Sequence, residues 1–178
     1  MRVITGSARG MTLRTLEGET TRPTTEKVKE AVFSAIQFEI EGRRVLDLFA
    51  GSGQMGIEAL SRGARSAVFV DSDKRAIQII RENVAKTGFG EQSRIVQIDS
   101  LAFLNMNVAK FDIVFLDPPY STGLLEKALE EVSPFVAEGG TVICEHPAAD
   151  TVPEGTDSLG KYRSYKYGRT AVTIYRKD

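Results

Sequence analysis

The sequence predicts an α/β fold in which helices cover both faces of a doubly wound, mostly parallel β-sheet. Short apolar runs rich in β-branched residues alternate along the chain with segments of helical periodicity. The connections between these segments are short, which implies right-handed crossovers between parallel strands. The predicted strands are Arg44–Phe49, Ala67–Asp71, Arg94–Ile98, Phe111–Leu116 and Thr141–Cys144. The helices predicted between them are Gly56–Arg62, Lys74–Lys86 and Leu124–Val136.

The N-terminal part of the chain departs from this alternation. Residues 1–16 predict a short hairpin that turns near Ala8-Arg9-Gly10. A helix is predicted from about Thr25 to Phe38, because apolar residues there recur at helical spacing behind a hydroxyl cap candidate. We therefore expect residues 1–40 to form a small hairpin-plus-helix extension that contacts RNA, and residues 41–178 to form the main domain.

The C-terminal part predicts an antiparallel hairpin that closes the sheet. Its strands are Tyr162–Tyr167 and Thr170–Tyr175, on either side of Gly168-Arg169. The segment from Lys161 to Tyr167 interleaves basic and aromatic residues, which makes it a second candidate for RNA contact. An edge strand whose tyrosines alternate between core and solvent would explain the same pattern, and this explanation is favoured for Tyr165 and Tyr175.

Composition limits the classes of function. The chain has 178 residues, enough for one well-buried core, and its net charge of −1 does not by itself indicate a nucleic-acid partner. Cys144 is the only cysteine and lies in a predicted strand, and His146 is the only histidine, so neither a disulfide framework nor a zinc site is expected. No apolar run approaches membrane-spanning length, and the start lacks the pattern of a signal peptide. We expect a cytoplasmic monomer with no metal and no membrane partner.

A glycine-rich loop follows the first predicted strand and opens a helix. Gly51, Gly53 and Gly56 match the dinucleotide pattern, in which glycines allow close approach of a ligand to the backbone and the helix start supplies N–H groups. Asp71 ends the second strand, where it can accept hydrogen bonds from ribose hydroxyls. This pattern alone leaves an NAD-dependent oxidoreductase open as an alternative.

Two further acids move the prediction from NAD to S-adenosylmethionine. Asp47 lies inside the last turn of the first strand, where a carboxylate would repel a pyrophosphate but suit a cationic amino-acid group. Asp99 ends the third strand and can accept from an adenine amine, although a helix cap before Leu101–Leu104 explains it equally well.

The segment Asp117-Pro118-Pro119-Tyr120 follows the fourth predicted strand and is the most informative motif. Proline fixes φ and has no N–H, so the turn is rigid and rich in acceptors. Such a turn suits an exocyclic amine of a flat base that stacks on Tyr120 and donates to the Asp117 carboxylate and the Pro118 carbonyl. A tight turn without chemistry would explain the two prolines alone, but not the acid and the ring beside them.

With these motifs in hand, the chain resembles the bacterial 16S ribosomal RNA guanine-N2 methyltransferases of the RsmD type, nearly from end to end. The segments that carry the resemblance are 2–10, 21–33, 47–63, 117–120 and 167–172. The resemblance implies a seven-stranded class I methyltransferase sheet, Rossmann-like in architecture. It also implies transfer of a methyl group from S-adenosylmethionine to N2 of a guanine, the one at position 966, in small-subunit ribosomal RNA, within an assembling subunit.

The predicted site residues fall into three groups. The expected catalytic residues are Asp117, Pro118, Pro119 and Tyr120. The expected cofactor-binding residues are Asp47, Phe49, Ala50, Gly51, Ser52, Gly53, Gly56, Asp71, Ser72, Asp99 and Ser100. The expected RNA-binding residues are Arg2, Arg9, Arg14, Arg22, Thr24 and Lys27. A DNA adenine-N6 methyltransferase and a catalytically idle RNA-binding assembly factor remain as alternatives, although the chain has no large target-recognition segment and retains its acids.

Overall fold

The computed structural model describes residues 1–17, 25–106, 109–120 and 122–178. Its sheet has seven strands in the order β3-β2-β1-β4-β5-β7-β6, with β1 to β5 parallel and β7 antiparallel to both neighbours. The strands are β1 (Arg44–Leu48), β2 (Ser66–Asp71), β3 (Ser93–Gln97), β4 (Phe111–Leu116), β5 (Val136–Pro147), β6 (Leu159–Tyr167) and β7 (Thr170–Lys177). The predicted α/β class and the C-terminal hairpin are confirmed.

Helices cover both faces of this sheet. Their bounds are α1 (Thr25–Ala35), α2 (Gln54–Ser61), α3 (Lys74–Thr87), α4 (Ser100–Leu104) and α5 (Leu124–Val132). Apolar residues of α1, α2 and α3 share one buried cluster with the sheet, and those of α4 and α5 share another with the opposite face. We call these the α1 face and the α5 face. Burial on both faces explains why the central strands are almost continuously apolar.

Three element ends differ from the prediction for physical reasons. The helix α5 ends at Val132 and is followed by a 3₁₀ turn, Ser133–Phe135, because Pro134 cannot donate to a helical hydrogen bond. The strand β5 is longer than predicted because it pairs with β4 on one side and with β7 on the other up to Pro147. The first helix ends at Ala35 rather than near Phe38, whose side chain is 93% exposed.

The N-terminal hairpin is fastened to the α1 face. Its turn is closed by hydrogen bonds between Val3 and Met11 and between Gly10 and Val3, each with N···O of 2.9 Å, which confirms the predicted hairpin. Val3, Ala8 and Leu13 are buried in the core cluster of this face. The division into an extension and a main domain near residue 40 stays a prediction.

A buried ion-pair network holds this hairpin in place. Glu58 on α2 is fully buried and accepts from the Ile4 and Thr5 amides at 2.8 and 3.1 Å. Its carboxylate also contacts the Lys29 Nζ at 3.3 Å and accepts from the Arg62 Nε at 3.0 Å. Desolvation lowers the pKa of Lys29, opposed by the attraction of Glu58. Lys29 therefore joins α1, α2 and the hairpin, and does not face solvent.

Burial and hydrogen bonds within the protein account for three side chains near the C-terminal hairpin. The His146 Nδ1 bonds the Pro147 carbonyl at 2.9 Å, so that nitrogen carries the proton, and Nε2 lies 2.8 Å from the Thr173 hydroxyl. Cys144 is fully buried, and burial raises the pKa of its thiol. The ring of Tyr175 is buried and its hydroxyl donates to the Pro153 carbonyl at 2.7 Å. The structural explanation favoured for Tyr175 is confirmed.

Within the described ranges, no helix combines the length and apolar character that crossing a bilayer requires. The same part of the chain contains no group of three or more His, Cys, Asp or Glu side chains arranged to hold a metal ion.

Candidate active site

The carboxyl ends of the parallel strands meet at one edge of the sheet and border a cavity of about 540 Å³. Ligands bind at this edge in doubly wound folds because the loops there diverge to opposite faces. The cavity joins the predicted cofactor motif to the predicted catalytic motif, since both contribute to its wall. The predicted site residues that line it are Phe49, Gly51, Asp71, Ser72, Asp99, Ser100, Asp117, Pro118, Pro119 and Tyr120.

The glycine loop has the tight geometry that its sequence predicts. Gly51 has φ of 57° and Gly53 has φ of 80°, both in the left-handed region that favours glycine. Phe49 has φ of 63°, which makes it the one non-glycine residue with positive φ in the described ranges. The Asp47 carboxylate is buried and accepts from the Gly56 amide at 3.0 Å. Asp47 thus fixes the start of α2 relative to β1.

The glycines of this loop have different surroundings. Gly51 lies in the cavity wall. A Cβ atom at Gly56 would lie 2.4 Å from the Phe69 ring, and one at Gly53 would lie 3.3 Å from Phe69 and from Ile80. Gly53 and Gly56 therefore allow α2 to pack closely on β2 and α3, and neither is among the residues that line the cavity.

Asp47, Ala50 and Ser52 lie behind the main cavity. They line a smaller pocket of about 50 Å³ that also contacts Asp117 and Val32. Ser52 is 1% exposed, and its Oγ atom has no hydrogen-bond partner in the described part of the chain. The predicted cofactor-binding residues are thus divided between two pockets, except Gly53 and Gly56, which line neither.

Asp71 holds the glycine loop against the end of β2. Its Oδ2 accepts from the Gly51 amide and its Oδ1 from the Asp73 amide, both at 2.9 Å. Asp73 caps α3 by accepting from the Arg75 amide at 2.8 Å. The pKa of Asp73 is lowered chiefly by hydrogen bonds from Arg75. A carboxylate has further acceptor positions, so Asp71 can also accept from a ligand in the cavity.

The structure shows one of the two roles considered for Asp99. Its Oδ2 accepts from the Ala102 amide at 3.0 Å, so it is the N-cap of α4. It also lines the cavity next to Ser100, which is buried. The cap therefore does not exclude a contact with the cofactor, which stays a prediction.

The Asp117–Tyr120 turn forms the opposite wall. Asp117 and Pro119 are exposed, Pro118 is buried and Tyr120 is half-buried. The Thr122 hydroxyl donates to the Pro119 carbonyl at 2.8 Å and closes the turn before α5. Asp117 borders both the main cavity and the smaller pocket, which places its carboxyl group where the two spaces meet.

Sequence reasoning missed Glu145, a half-buried acid at the end of β5. It lines the main cavity, the smaller pocket and a third space of about 90 Å³ next to α5. Leu116 pairs with Cys144 in the β4–β5 ladder, so Asp117 and Glu145 follow at adjacent positions on neighbouring strands. The signal was available: Glu145 is the first polar residue after the apolar run of β5, as Asp117 is after β4.

Two more residues in this region were not predicted. Gln54 lines the main cavity, and its buried Oε1 has no hydrogen-bond partner within the described ranges. Asn83 on α3 is 1% exposed and donates to the Ser52 carbonyl at 3.0 Å and to the Arg14 carbonyl at 2.8 Å, while accepting from the Arg14 amide at 2.8 Å. A sequence motif does not reveal Asn83, because its partners are distant along the chain.

Four of the predicted RNA-binding residues are described, and they lie on the N-terminal hairpin or on α1. Arg2, Arg9 and Lys27 are exposed, and Arg14 is exposed but forms an ion pair with Glu82 at 2.7 Å. Arg22 and Thr24 lie outside the described residues. The chain leaving the hairpin passes the cavity, because Leu16 and Glu17 line it. The hairpin is therefore adjacent to the candidate active site.

Comparison with known proteins identifies relatives that match the whole chain. The family model described as "Conserved hypothetical protein 95" matches residues 1–176. The Bacillus subtilis protein named "Putative rRNA methyltransferase YlbH" is 40% identical and the match covers 99% of each chain. The "Ribosomal RNA small subunit methyltransferase D" of Escherichia coli is 31% identical over 100% of this chain and 90% of its own.

Solved structures agree with this assignment. The "Putative methyltransferase yhhF" of Escherichia coli superposes with a TM-score of 0.91 at 31% identity, covering 100% of this chain and 98% of its own. The resemblance drawn from the sequence motifs is therefore confirmed at the level of family and fold. The chain belongs to the RsmD family of methyltransferases, which the model "Conserved hypothetical protein 95" describes.

Proposed function

We propose that this protein is an S-adenosylmethionine-dependent RNA methyltransferase that methylates the exocyclic N2 of a guanine in small-subunit ribosomal RNA. The observation that carries the proposal is the single cavity of about 540 Å³ bordered at one end by Gly51 and Asp71 and at the other by Asp117–Tyr120. A methyl donor and an amine acceptor must meet in one space, and this cavity offers that space. The names of the relatives that match the whole chain point to ribosomal RNA as the substrate.

The residues at the first end suit S-adenosylmethionine. The cofactor supplies an electrophilic methyl group on a sulfonium. Asp71 offers carboxylate oxygens for ribose hydroxyls, and Asp99 and Ser100 offer acceptors for an adenine amine. The buried Gln54 Oε1, which lacks a partner within the described ranges, is an acceptor for the ammonium of the amino-acid part. The buried Asp47 carboxylate nearby would instead repel the pyrophosphate of NAD.

The residues at the second end suit a planar base with an exocyclic amine. The Asp117 carboxylate and the Pro118 carbonyl accept the two amine hydrogens, which draws the amine nitrogen toward tetrahedral geometry and directs its lone pair at the methyl group. As the new N–C bond forms, the bond between the methyl group and the sulfonium sulfur would break and S-adenosylhomocysteine would be the leaving group. The methylated amine would then be cationic and would lose a proton to Asp117 or to water. Tyr120 holds the base by stacking, a contact worth about 1–3 kcal/mol per base at other nucleic-acid sites.

Exposed cations of the hairpin and of α1 give the proposed RNA contact. Arg2 and Arg9 belong to the hairpin, from which the chain continues to Leu16 and Glu17 at the cavity, and Lys27 lies on α1. Phosphate contacts fix the position of the RNA without reading its sequence. Reversing the charge in Arg9→Glu should weaken binding of the RNA substrate and reduce the salt dependence of that binding, while leaving S-adenosylhomocysteine affinity unchanged. Equal RNA affinity in the variant and the parent would remove Arg9 from the interface.

The experiment that tests the function is direct. Small-subunit particles lacking the modification are incubated with the protein and S-adenosylmethionine carrying a tritiated methyl group. We expect label in one guanine of the small-subunit RNA, recovered after digestion as N2-methylguanosine, and we expect position 966 by the family resemblance. Label in adenine of DNA, in large-subunit RNA or at another atom of guanine would contradict the proposal.

We also propose that the protein acts as a monomer in the cytoplasm, on an assembling subunit. Comparing methylation of naked RNA with that of partly assembled particles tests the last point. Faster methylation of naked RNA would contradict it.

A further inference from the structure

We infer that Glu145 selects guanine over adenine by accepting a hydrogen bond from N1–H of the target base. The inference rests on the proposed function and adds to it the means by which the site distinguishes two bases that both carry an exocyclic amine. The turn Asp117–Tyr120 recognises the amine alone, and guanine N2 and adenine N6 offer it the same two hydrogens. The two bases differ at N1, the ring nitrogen next to the amine.

The sheet register places Glu145 beside Asp117. Phe115 pairs with Ile143 and Leu116 with Cys144 in the parallel β4–β5 ladder. Phe115 and Ile143 belong to the core cluster of the α1 face, and Leu116 and Cys144 to that of the α5 face. Side chains alternate along strands, so the next pair of positions, Asp117 and Glu145, returns to the α1 face.

The pocket lining agrees with this placement. Asp117 and Glu145 both line the smaller pocket together with Phe115, Ile143 and Val172, which are residues of the α1 face. Glu145 pairs with Val172 across β5 and β7, and the β4–β5 ladder ends one residue before it, at Cys144. Neighbouring strands lie about 4.8 Å apart. The two carboxyl groups are therefore close enough to contact neighbouring atoms of one base.

The hydrogen-bonding edges of the two bases differ in a way that two carboxylates can read. Guanine presents N1–H beside its N2 amine, so three hydrogens in a row face Asp117 and Glu145. Adenine presents the lone pair of N1 beside its N6 amine, and that lone pair would face the Glu145 carboxylate. An ionised carboxylate only accepts hydrogen bonds, so the adenine pairing is repulsive.

The adjacent charges also favour this substrate. Two carboxylates at neighbouring strand positions repel each other, and a base edge with three donors reduces that repulsion when it binds. Sites built to hydrogen-bond a substrate group reject analogues that lack it by large factors, about 10⁴–10⁵ in favourable cases. The carboxylate–N1 contact therefore offers more discrimination than a difference in base shape.

A modified target base tests the inference without changing the protein. 2-Aminopurine has the same exocyclic amine at N2 as guanine, but its N1 is an acceptor. Small-subunit RNA is prepared with either guanine or 2-aminopurine at the nucleotide located by the mapping experiment, and kcat/KM for methyl transfer is measured for both. We expect the parent protein to prefer guanine by at least about 100-fold. Equal use of the two bases would overturn the inference.

The variant Glu145→Gln tests the residue itself. We expect kcat/KM for guanine to fall by about 10- to 100-fold, as loss of a charged hydrogen bond predicts. The side-chain amide of the variant can donate a hydrogen bond to the N1 acceptor of 2-aminopurine. We expect the preference for guanine over 2-aminopurine to fall at least tenfold. A variant that lowers kcat/KM by the same factor for both bases would show that Glu145 has a purely structural role.

Controls separate this inference from folding and from the proposed function. Glu130→Gln, on the exposed side of α5, should leave both values of kcat/KM unchanged. S-adenosylhomocysteine should raise the melting temperature of the Glu145→Gln variant as it does that of the parent. If the parent methylates no guanine at N2, the proposed function fails. If it does so but accepts 2-aminopurine equally, only the role of Glu145 fails.

Discussion

The two halves of the candidate active site use strand-end acids in different ways. On the β1–β2–β3 side, each acid accepts a hydrogen bond from a backbone amide of the loop or helix that follows its strand: from Gly56 for Asp47, from Asp73 for Asp71 and from Ala102 for Asp99, at 2.9–3.0 Å. On the β4–β5 side, Pro118 and Pro119 follow Asp117 directly and Pro147 lies two residues after Glu145, and a proline has no amide hydrogen to donate.

This difference shows that acidic residues at one edge of a sheet can have two functions. In the first half, the carboxylates give the loops a fixed shape around a cofactor. In the second half, the backbone after Asp117 is made rigid by proline φ angles, and no amide of Pro118 or Pro119 can bind the Asp117 carboxylate. Substituting an acid by alanine should therefore impair methyl transfer in one half and cofactor binding in the other. Two predictions test this directly, and two more concern other residues of the two halves.

The largest effect is expected for Asp117→Ala. We expect kcat to fall by about 10³-fold or more, since the variant loses the carboxylate acceptor that orients the amine. S-adenosylhomocysteine affinity, measured by calorimetry, should change less than threefold. A near-normal rate would refute the catalytic role of Asp117 and remove the contrast between the halves.

The matched substitution in the first half is Asp71→Ala. We expect S-adenosylhomocysteine to bind about 100-fold more weakly, because the variant loses the ligand acceptor, the hydrogen bond from Gly51 that shapes the glycine loop and the hydrogen bond from Asp73 at the start of α3. At saturating cofactor, kcat should fall much less than in Asp117→Ala. A variant with parental cofactor affinity would contradict the assignment of the first half.

A smaller effect is expected for Tyr120→Ala. Loss of base stacking should raise KM for the RNA by about 10-fold, within the range of 1–3 kcal/mol per base. Tyr120→Phe is the control, since it retains the ring and should keep most of the affinity. If the phenylalanine variant is as weak as the alanine variant, the hydroxyl rather than the stacking surface carries the contact.

The smallest effect is expected for Asn83→Ala. The side chain joins the Ser52 carbonyl of the glycine loop to Arg14 of the hairpin, and its loss should reduce the free energy of unfolding by about 2 kcal/mol. Cofactor affinity should fall by less than tenfold, because Asp71 still holds the loop. Chemical denaturation and calorimetry measure the two quantities, and unchanged stability would show that water replaces the amide.

The sequence was informative where a local pattern carries the information. Alternating apolar runs predict the strands, the positive φ angles of Gly51 and Gly53 follow from a strand–loop–helix motif, and the Asp117–Tyr120 turn is contiguous. The roles of Asn83 and Glu145 depend instead on which segments become neighbours. The bond from Asn83 to Arg14 spans 69 positions of the chain, and the place of Glu145 follows from the β4–β5 register.

The same reasoning explains why Lys29 could not be placed from the sequence. It lies two residues from Lys27, a predicted RNA contact, and only the packing of α1 on α2 reveals that Lys29 is 1% exposed. A cation paired with a buried glutamate belongs to the core, whereas its neighbour Lys27 remains exposed.

The anchoring of the hairpin has a consequence for how the protein can be shortened. Deleting residues 1–17 would take away more than positive charge, because the Glu58 carboxylate would lose the Ile4 and Thr5 amides while remaining next to Lys29 and Arg62. The apolar core residues of the α1 face that Val3, Ala8 and Leu13 cover would become exposed to solvent. A truncated chain would therefore be expected to aggregate, and the contribution of the arginines to substrate capture has to be measured one side chain at a time.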